Sequence, residues 1–219
     1  MNRLAIFDCD GTLVDSQANI CTAMEECFAQ AGLEPPCREA TRRVVGLSLV
    51  EAMRAMLPGA AADTHVAMAE RYKQAFHAFR ARGEVEEPLY EGISGLIDAL
   101  ERDGWLLGVA TGKSDRGLRH CLQRHGLASR FVTLQTADRH PSKPHPSMIE
   151  QALADAGAAA EASVMIGDTS YDMAMARAAG VTAIGVTWGY HDARELRDAG
   201  AHHIAAHPSD IIDMVKAFA

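Results

Sequence analysis

Four acidic side chains of this 219-residue chain stand in two pairs, each directly after a short apolar run. Asp8 and Asp10 follow the run Leu4–Phe7, and Asp168 and Asp172 follow a later run. Alternate side chains of an extended backbone share a face, and residues four apart share a helix face, so each pair can approach one centre. Carboxylates held so close repel one another and need a metal ion or a shared proton. Each pair alone also fits an ordinary acidic turn or a helix cap.

Two loops between these acids have the features of an anion-binding site. Thr111, Gly112 and Lys113 offer a hydroxyl, a backbone that can be approached closely and an ammonium ahead of a helix N-terminus. Lys143 stands among prolines, which fix the backbone and would present its ammonium rigidly to a phosphoryl oxygen. Each loop alone also fits a capped turn or a stiff solvent-exposed segment.

The elements that would position these residues follow from the hydrophobic spacing. Beyond residue 84, helical segments alternate with short apolar runs, which predicts a doubly wound parallel α/β sheet. Such a sheet binds ligands at the carboxyl ends of its strands, where both acidic pairs and both loops stand. The predicted strands are 4–7, 106–110, 131–134, 164–166 and 181–186, and the predicted helices are 93–100, 114–125, 147–156 and 171–179.

Residues 16–83 have a different pattern, with apolar residues three or four apart and no strand-like window. Helices are predicted from Ser16 to Ala31, through Val44 to Leu57 and through Val66 to Phe79. The chain is therefore predicted to have an α/β core, residues 1–15 and 84–219, with an inserted helical domain over residues 16–83.

The composition narrows the function classes. A net charge of −8 argues against nucleic acid or an anionic membrane as the main partner, and no apolar run is long enough to span a membrane. The five cysteines are odd in number and contain no CxxC pair, which predicts reduced thiols. We expect a cytoplasmic protein with no nucleic-acid or membrane partner, and the sequence leaves monomer and homodimer open.

In combination, the four strand ends suit magnesium-assisted phosphoryl transfer, which needs an anion pocket, a metal and an oxygen nucleophile beside an acid or base. The sequence lacks the GxSxG, GxGxxG and GxxxxGK[ST] patterns of other common hydrolase and nucleotide sites. The segment Asp8–Ser16 (DCDGTLVDS), followed in order by Thr111, Lys143 and Gly167–Asp172, resembles the haloacid-dehalogenase superfamily of phosphatases. The resemblance covers the whole chain and is nearest to the phosphoglycolate phosphatase-like branch, with residues 16–83 as a helical cap.

The resemblance implies a role for each of these residues. Asp8 would attack phosphorus and become a transient aspartyl phosphate, while Asp10 would protonate the leaving alcohol and later activate water. The phosphoryl oxygens would be held by Thr111, Gly112, Lys113 and Lys143. The Mg²⁺ site would comprise Asp8, Asp10 through its carbonyl, Asp168 and, in an outer position that orients Lys143 or a bound water, Asp172.

Two residues of the predicted cap, Arg43 and Leu49, bear on the choice of substrate. Arg43 is a candidate contact for an acidic group on the substrate, although it also fits a solvated surface arginine. Phosphomutase relatives carry a basic residue where this chain has Leu49, which favours a hydrolase over a mutase. A phosphonate hydrolase of the same superfamily and a receiver-like phospho-accepting signalling module are further alternatives. We expect a small phosphorylated metabolite, such as phosphoglycolate or a sugar phosphate, because the aromatic side chains of the cap fall on helical stripes typical of core packing.

Overall fold

A sheet of six parallel strands forms the centre of the structure, a computed structural model that describes residues 2–216. The strands are β1 (Asn2–Phe7), β2 (Trp105–Thr111), β3 (Thr133–Thr136), β4 (Ala158–Gly167), β5 (Thr182–Val186) and β6 (His203–Ala205). Their order across the sheet is β3-β2-β1-β4-β5-β6. The predicted parallel α/β fold is confirmed.

Ten helices connect or flank these strands in the described part of the chain. Four of them lie between β1 and β2, ahead of a fifth that leads into β2. The helices are α1 (Gln17–Gln30), α2 (Arg38–Val44), α3 (Leu49–Met56), α4 (Ala62–Ala81), α5 (Ile93–Arg102), α6 (Asp115–Arg124), α7 (Ser147–Ala156), α8 (Ser170–Ala178), α9 (Ala193–Asp198) and α10 (Pro208–Lys216).

The direction of the chain across the sheet reverses between β1 and β4. After β1 the chain proceeds outward through β2 and β3, and then returns to place β4 on the other side of β1. The last residue of β1, Phe7, is in register with Val109 of β2 and Ile166 of β4. The three central strands therefore end at nearly the same level, and a crevice at such a reversal is the usual ligand site of an open α/β sheet.

Both faces of the sheet are covered by helices, as alternation along β1 shows. Ala5 and Phe7 belong to one buried cluster, which includes side chains of α5, α6 and α10. Leu4 and Ile6 belong to the other, which includes side chains of α7, α8 and α9. Because both faces of β1 are buried, its sequence is a continuous apolar run rather than an alternating one.

Helices α1, α3 and α4 share a third hydrophobic cluster of their own, which includes Met24, Phe28, Met53 and Tyr72. The prediction of a helix running from Val44 to Leu57 is wrong, because α2 ends at Val44 and α3 begins only at Leu49. Gly46 in the intervening turn has φ 95°, a backbone conformation that residues with a side chain rarely adopt.

Some strand and helix boundaries also differ from the sequence prediction. The third strand was expected over 131–134 and lies at Thr133–Thr136, while β4 begins at Ala158, within an alanine-rich stretch that carried no strand prediction. Elements α9, β6 and α10 had no sequence prediction. None of the helices within residues 2–216 has the length and apolar character required to cross a membrane.

Candidate active site

Asp8 is the first residue after β1 and is almost completely buried. Its Oδ1 accepts a hydrogen bond from the Cys9 backbone N–H at 2.7 Å and lies 3.0 Å from the Lys143 ammonium. Its Oδ2 is buried and has no hydrogen-bond partner. Burial raises the pKa of Asp8 from its ordinary value of 3.8 to about 7, although the Lys143 charge opposes the rise. A carboxylate with one free buried oxygen therefore faces the crevice.

Asp168, at the carboxyl end of β4, is fully buried beside Asp8. Its Oδ1 accepts a hydrogen bond from the Thr12 hydroxyl at 2.7 Å, and its Oδ2 accepts one from the Tyr190 backbone N–H at 2.9 Å. Burial and the neighbouring Asp8 carboxylate raise the pKa of Asp168 well above its ordinary value. A Cβ on Gly189 would lie 2.3 Å from Asp168 Oδ2, so only glycine fits against this carboxylate in its present position.

Lys143 is fully buried between Asp8 and Asp172. Its Nζ lies 2.6 Å from Asp172 Oδ1 and 3.0 Å from Asp8 Oδ1. Burial alone would lower the pKa of Lys143, but the charges of Asp172 and Asp8 raise it well above its ordinary value. Asp172 is itself fixed at the start of α8, where its Oδ2 accepts hydrogen bonds from the backbone and the hydroxyl of Thr169. Lys143 is therefore a permanently charged, rigidly held cation.

The buried acids fit a divalent cation. One carboxylate oxygen from each of Asp8, Asp168 and Asp172 lies within 4.8 Å of the other two. A single ammonium accompanies these three carboxylates, and Asp8 Oδ2 lacks any partner. Carboxylate oxygens are the ligands that Mg²⁺ prefers. Asp172 is already paired with the Lys143 ammonium, whereas Asp168 accepts hydrogen bonds only from uncharged donors, so Asp8 and Asp168 are the better placed direct ligands.

Asp10 lies on the outer side of Asp8, where its side chain is 12% exposed. Its Oδ1 accepts hydrogen bonds from the Ser16 hydroxyl and, at 2.6 Å, from the Lys113 ammonium. Lys113 also donates to Glu87 Oε1 at 2.8 Å, and Glu87 is 1% exposed. The structure thus places Lys113 between two carboxylates, rather than free to hold a phosphoryl oxygen as the sequence suggested.

Thr111 is the last residue of β2, and Gly112 follows it at the same edge of the sheet. Thr111 is buried, and both residues line a cavity that Asp8 and Asp10 also line. A Cβ on Gly112 would lie 2.7 Å from the Leu47 carbonyl oxygen and 2.8 Å from that of Gly46. The turn between α2 and α3 therefore approaches this loop so closely that only glycine fits.

Arg43 does not lie at this cavity. It is half-exposed and forms an ion pair with Glu195 of α9, while its carbonyl accepts a hydrogen bond from the Tyr171 hydroxyl at 3.0 Å. Arg43 thus joins α2 to the α/β core, and the structure gives no support to its predicted contact with substrate.

The cavity has a volume of about 280 Å³ and lies between the strand ends and helices α1 to α4. Tyr72 and Phe76 of α4 line it, although the sequence assigned both to core packing. Their spacing of four residues could have identified them as one helix face. The face is shared between the core of the helical segment and the cavity, because Tyr72 is buried and Phe76 is half-buried.

Known proteins are similar to this chain in both sequence and fold. The family model of haloacid dehalogenase-like hydrolases matches residues 5–186. The chain is 35% identical over 215 residues to the "Probable phosphatase IndB" of Dickeya dadantii, covering 97% of this chain and 90% of that protein. It is 33% identical over 198 residues to the phosphoglycolate phosphatase of Agrobacterium fabrum, covering 88% and 83% respectively. The crystal structure of a predicted phosphatase from Clostridium acetobutylicum matches with a TM-score of 0.89 and 25% identity over 99% of both chains. The predicted resemblance is confirmed, and the chain belongs to the haloacid dehalogenase-like hydrolase family.

Proposed function

We propose that the protein is a Mg²⁺-dependent phosphatase that hydrolyses a small phosphomonoester through an aspartyl-phosphate intermediate. The observation that carries the proposal is the pair of carboxylates at the cavity. Asp8 Oδ2 is buried and unpartnered, whereas the Asp10 carboxylate is hydrogen-bonded and partly accessible. One acid is thus placed to attack and the other to exchange protons.

In the proposed first step, Asp8 Oδ2 forms a bond to phosphorus while the bond from phosphorus to the alcohol oxygen breaks. Asp10 gives its proton to that oxygen, so the leaving group departs as a neutral alcohol. In the second step, Asp10 takes a proton from water, the water oxygen attacks phosphorus, and the bond to Asp8 breaks. The products are the alcohol, inorganic phosphate and the regenerated carboxylate.

The remaining residues hold the phosphoryl group and neutralise its charge. Lys143, kept in place by Asp172, supplies a fixed positive charge beside Asp8. The Thr111 hydroxyl and the Gly112 backbone N–H would donate to phosphoryl oxygens, which is supported by the position of both residues at the cavity. Asp8, Asp168 and the Asp10 carbonyl would hold Mg²⁺, which when bound offsets the charge of the carboxylates and of the phosphate.

We further propose that residues 16–83 act as a cap over a core of residues 1–15 and 84–219. The cap meets the core near Lys143, where the Ser48 backbone N–H donates to the Ser142 hydroxyl at 2.8 Å. Leu49 lines the cavity, at the position where phosphomutase relatives are expected to carry a basic residue. Because Leu49 is apolar and cannot bind a second phosphate, it supports a phosphatase rather than a phosphomutase.

The proposal is tested by phosphate release from a panel of small phosphomonoesters, with Mg²⁺ and with a chelator. We expect turnover that depends on Mg²⁺ and that falls more than about a thousandfold in Asp8→Asn, because the amide lacks the nucleophilic oxygen. Asp63→Asn, an exposed acid on α4, is the matched control and should keep full activity. An Asp8→Asn enzyme that retains a tenth of the activity would exclude the proposed nucleophile.

A further inference from the structure

Most of the side chains that the helical cap contributes to the wall of the cavity are apolar, and the others are Thr41, Lys73, His77 and Arg80. Six of these apolar side chains come from the four cap helices, and each of them is buried or partly buried. They are Ile20, Met24, Val44, Leu49, Tyr72 and Phe76. Apolar side chains that border a cavity, rather than fill it, offer an apolar surface to whatever enters.

The rings of this wall form one surface. The centroids of Tyr72 and Phe76 are 6.0 Å apart, with an angle of 34° between the ring planes. Both residues lie on α4, one turn apart, so the two rings extend along the helix beside the cavity. A flat or branched apolar group can lie against them with little loss of contact area.

Two cations that line the cavity, Lys113 and Arg80, lie against the buried carboxylate of Glu87, although Nε and Nη2 of Arg80 lack a hydrogen-bond partner. Arg116 of α6 also lines the cavity and has an exposed side chain that forms no ion pair with a described residue. Lys113 is bound by both Asp10 and Glu87. Arg80 lies over the Phe76 ring, with its Cζ 5.4 Å from the ring centroid, and its Nη2 is 3.9 Å from Glu87 Oε2. A carboxylate on the leaving group would lie beside the Glu87 carboxylate and would have to compete with it for Lys113 and Arg80.

Two further cations of the cap, Lys73 and Arg43, are also paired with carboxylates. Lys73 is half-exposed and its ammonium pairs with Glu70 at 2.7 Å. Arg43, the residue predicted to bind an acidic substrate, lies outside the cavity on Glu195. The part of the cavity beyond Asp10 therefore differs from the phosphate end, which Lys143 dominates.

From this division we infer that the cap selects an uncharged, apolar leaving group, such as an arylalkyl or branched alkyl alcohol, over glycolate or a polyhydroxy alcohol. The inference rests on the proposed phosphatase function and narrows its substrate class. Burial of a phenyl-sized group against apolar side chains should favour such an ester at least about tenfold over a polar ester of similar size.

Three primary alkyl esters test the inference: 2-phenylethyl phosphate, glycerol 3-phosphate and 2-phosphoglycolate. Their affinities are measured by calorimetry on the Asp8→Asn protein with Mg²⁺, and their kcat/KM on the wild-type enzyme. We expect 2-phenylethyl phosphate to lead both series by at least about tenfold. Tighter binding of phosphoglycolate or glycerol phosphate would overturn the inference, whichever ester is hydrolysed. Preferential binding of 2-phenylethyl phosphate without turnover of any ester would support it and overturn the proposed function instead.

Two substitutions in the wall test whether its side chains contact the leaving group or only stabilise the fold. Leu49→Lys, which places a cation in the wall, should shift the ratio of affinities towards phosphoglycolate by at least about tenfold. Phe76→Leu, which keeps an apolar residue but removes the ring, should weaken only the phenylethyl ester. Val66→Ala, an exposed position on the same helix, should leave the ratio unchanged. Equal loss of all three esters in both wall variants would contradict the inference.

Discussion

Replacement of Asp8 by Asn should stabilise the metal-free protein at neutral and alkaline pH, although it removes the proposed nucleophile. The buried Asp8 carboxyl has a pKa raised from 3.8 to about 7 in the folded protein. An unfolded chain has an aspartate pKa of about 3.9, so the folded state binds more protons between about pH 4 and pH 7. The contribution of Asp8 to stability is therefore fully present below about pH 4 and is lost as the pH rises through 7.

The size of this effect follows from the shift. A rise of roughly 3 pKa units, at about 1.4 kcal/mol each, makes the ionised Asp8 cost about 4 kcal/mol of unfolding free energy at pH 8. Asn avoids this cost and keeps the local contacts. Its Oδ1 can still accept from the Cys9 N–H and the Lys143 ammonium, and its Nδ2 would replace the unpartnered Oδ2.

Urea unfolding in the presence of a chelator, at pH 8 and pH 5, measures the effect. We expect the free energy of unfolding of Asp8→Asn to exceed that of the wild type by up to about 4 kcal/mol at pH 8, and by a smaller margin at pH 5, where the folded protein keeps Asp8 protonated. Asp63→Asn, on the surface, should show no such dependence on pH. Mg²⁺ should stabilise the wild type and narrow the difference. An Asp8→Asn protein less stable than the wild type at pH 8 in chelator would refute the reasoning.

Three further predictions concern the acid, the metal site and the thiols. Asp10→Asn should still turn over p-nitrophenyl phosphate far better than an alkyl ester, because a phenolate leaves without a proton, and equal losses on both esters would remove Asp10 from the acid role. Gly189→Ala should weaken Mg²⁺ binding at least about tenfold by calorimetry, since its Cβ would collide with a buried carboxylate, whereas Gly95→Ala, which has open space, should not. A maleimide should label the exposed Cys37 first and leave activity intact. Cys9 should react slowly, because it is buried and its contact with the buried Cys121 thiol raises its pKa. Rapid labelling of Cys9 would contradict this prediction.

The fold could be predicted because its signals are local. Each central strand contains an apolar run, and a polar residue of the proposed site lies at its carboxyl end or directly after it. The order of the strands brings these ends together. Asp8, Thr111, Lys143 and Asp168 accordingly meet at one edge of the sheet, and their proposed roles remain predictions to be tested. The break at Gly46 was hidden because apolar spacing continues across the turn from α2 into α3.

The ion pairs that the sequence did not predict join residues that lie far apart in the chain. Glu87 binds Lys113 across 26 positions, from a loop that has no periodic pattern. Arg43 binds Glu195 across 152 positions, and nothing near either residue indicates the other. The sequence does not show which distant carboxylate will pair with a lysine or an arginine. The sequence prediction therefore assigned Lys113 and Arg43 to substrate binding, although both are paired with carboxylates in the structure.

The central claim, that Asp8 carries the phosphoryl group, is tested most directly by trapping the intermediate. Asp10→Asn would be mixed with p-nitrophenyl phosphate and Mg²⁺, quenched rapidly in acid and reduced with borohydride, which converts an aspartyl phosphate to homoserine. Peptide mass spectrometry should then find homoserine at position 8, and no modification in Asp8→Asn. Phosphate release without any modified peptide, or a modified aspartate at another position, would contradict the account.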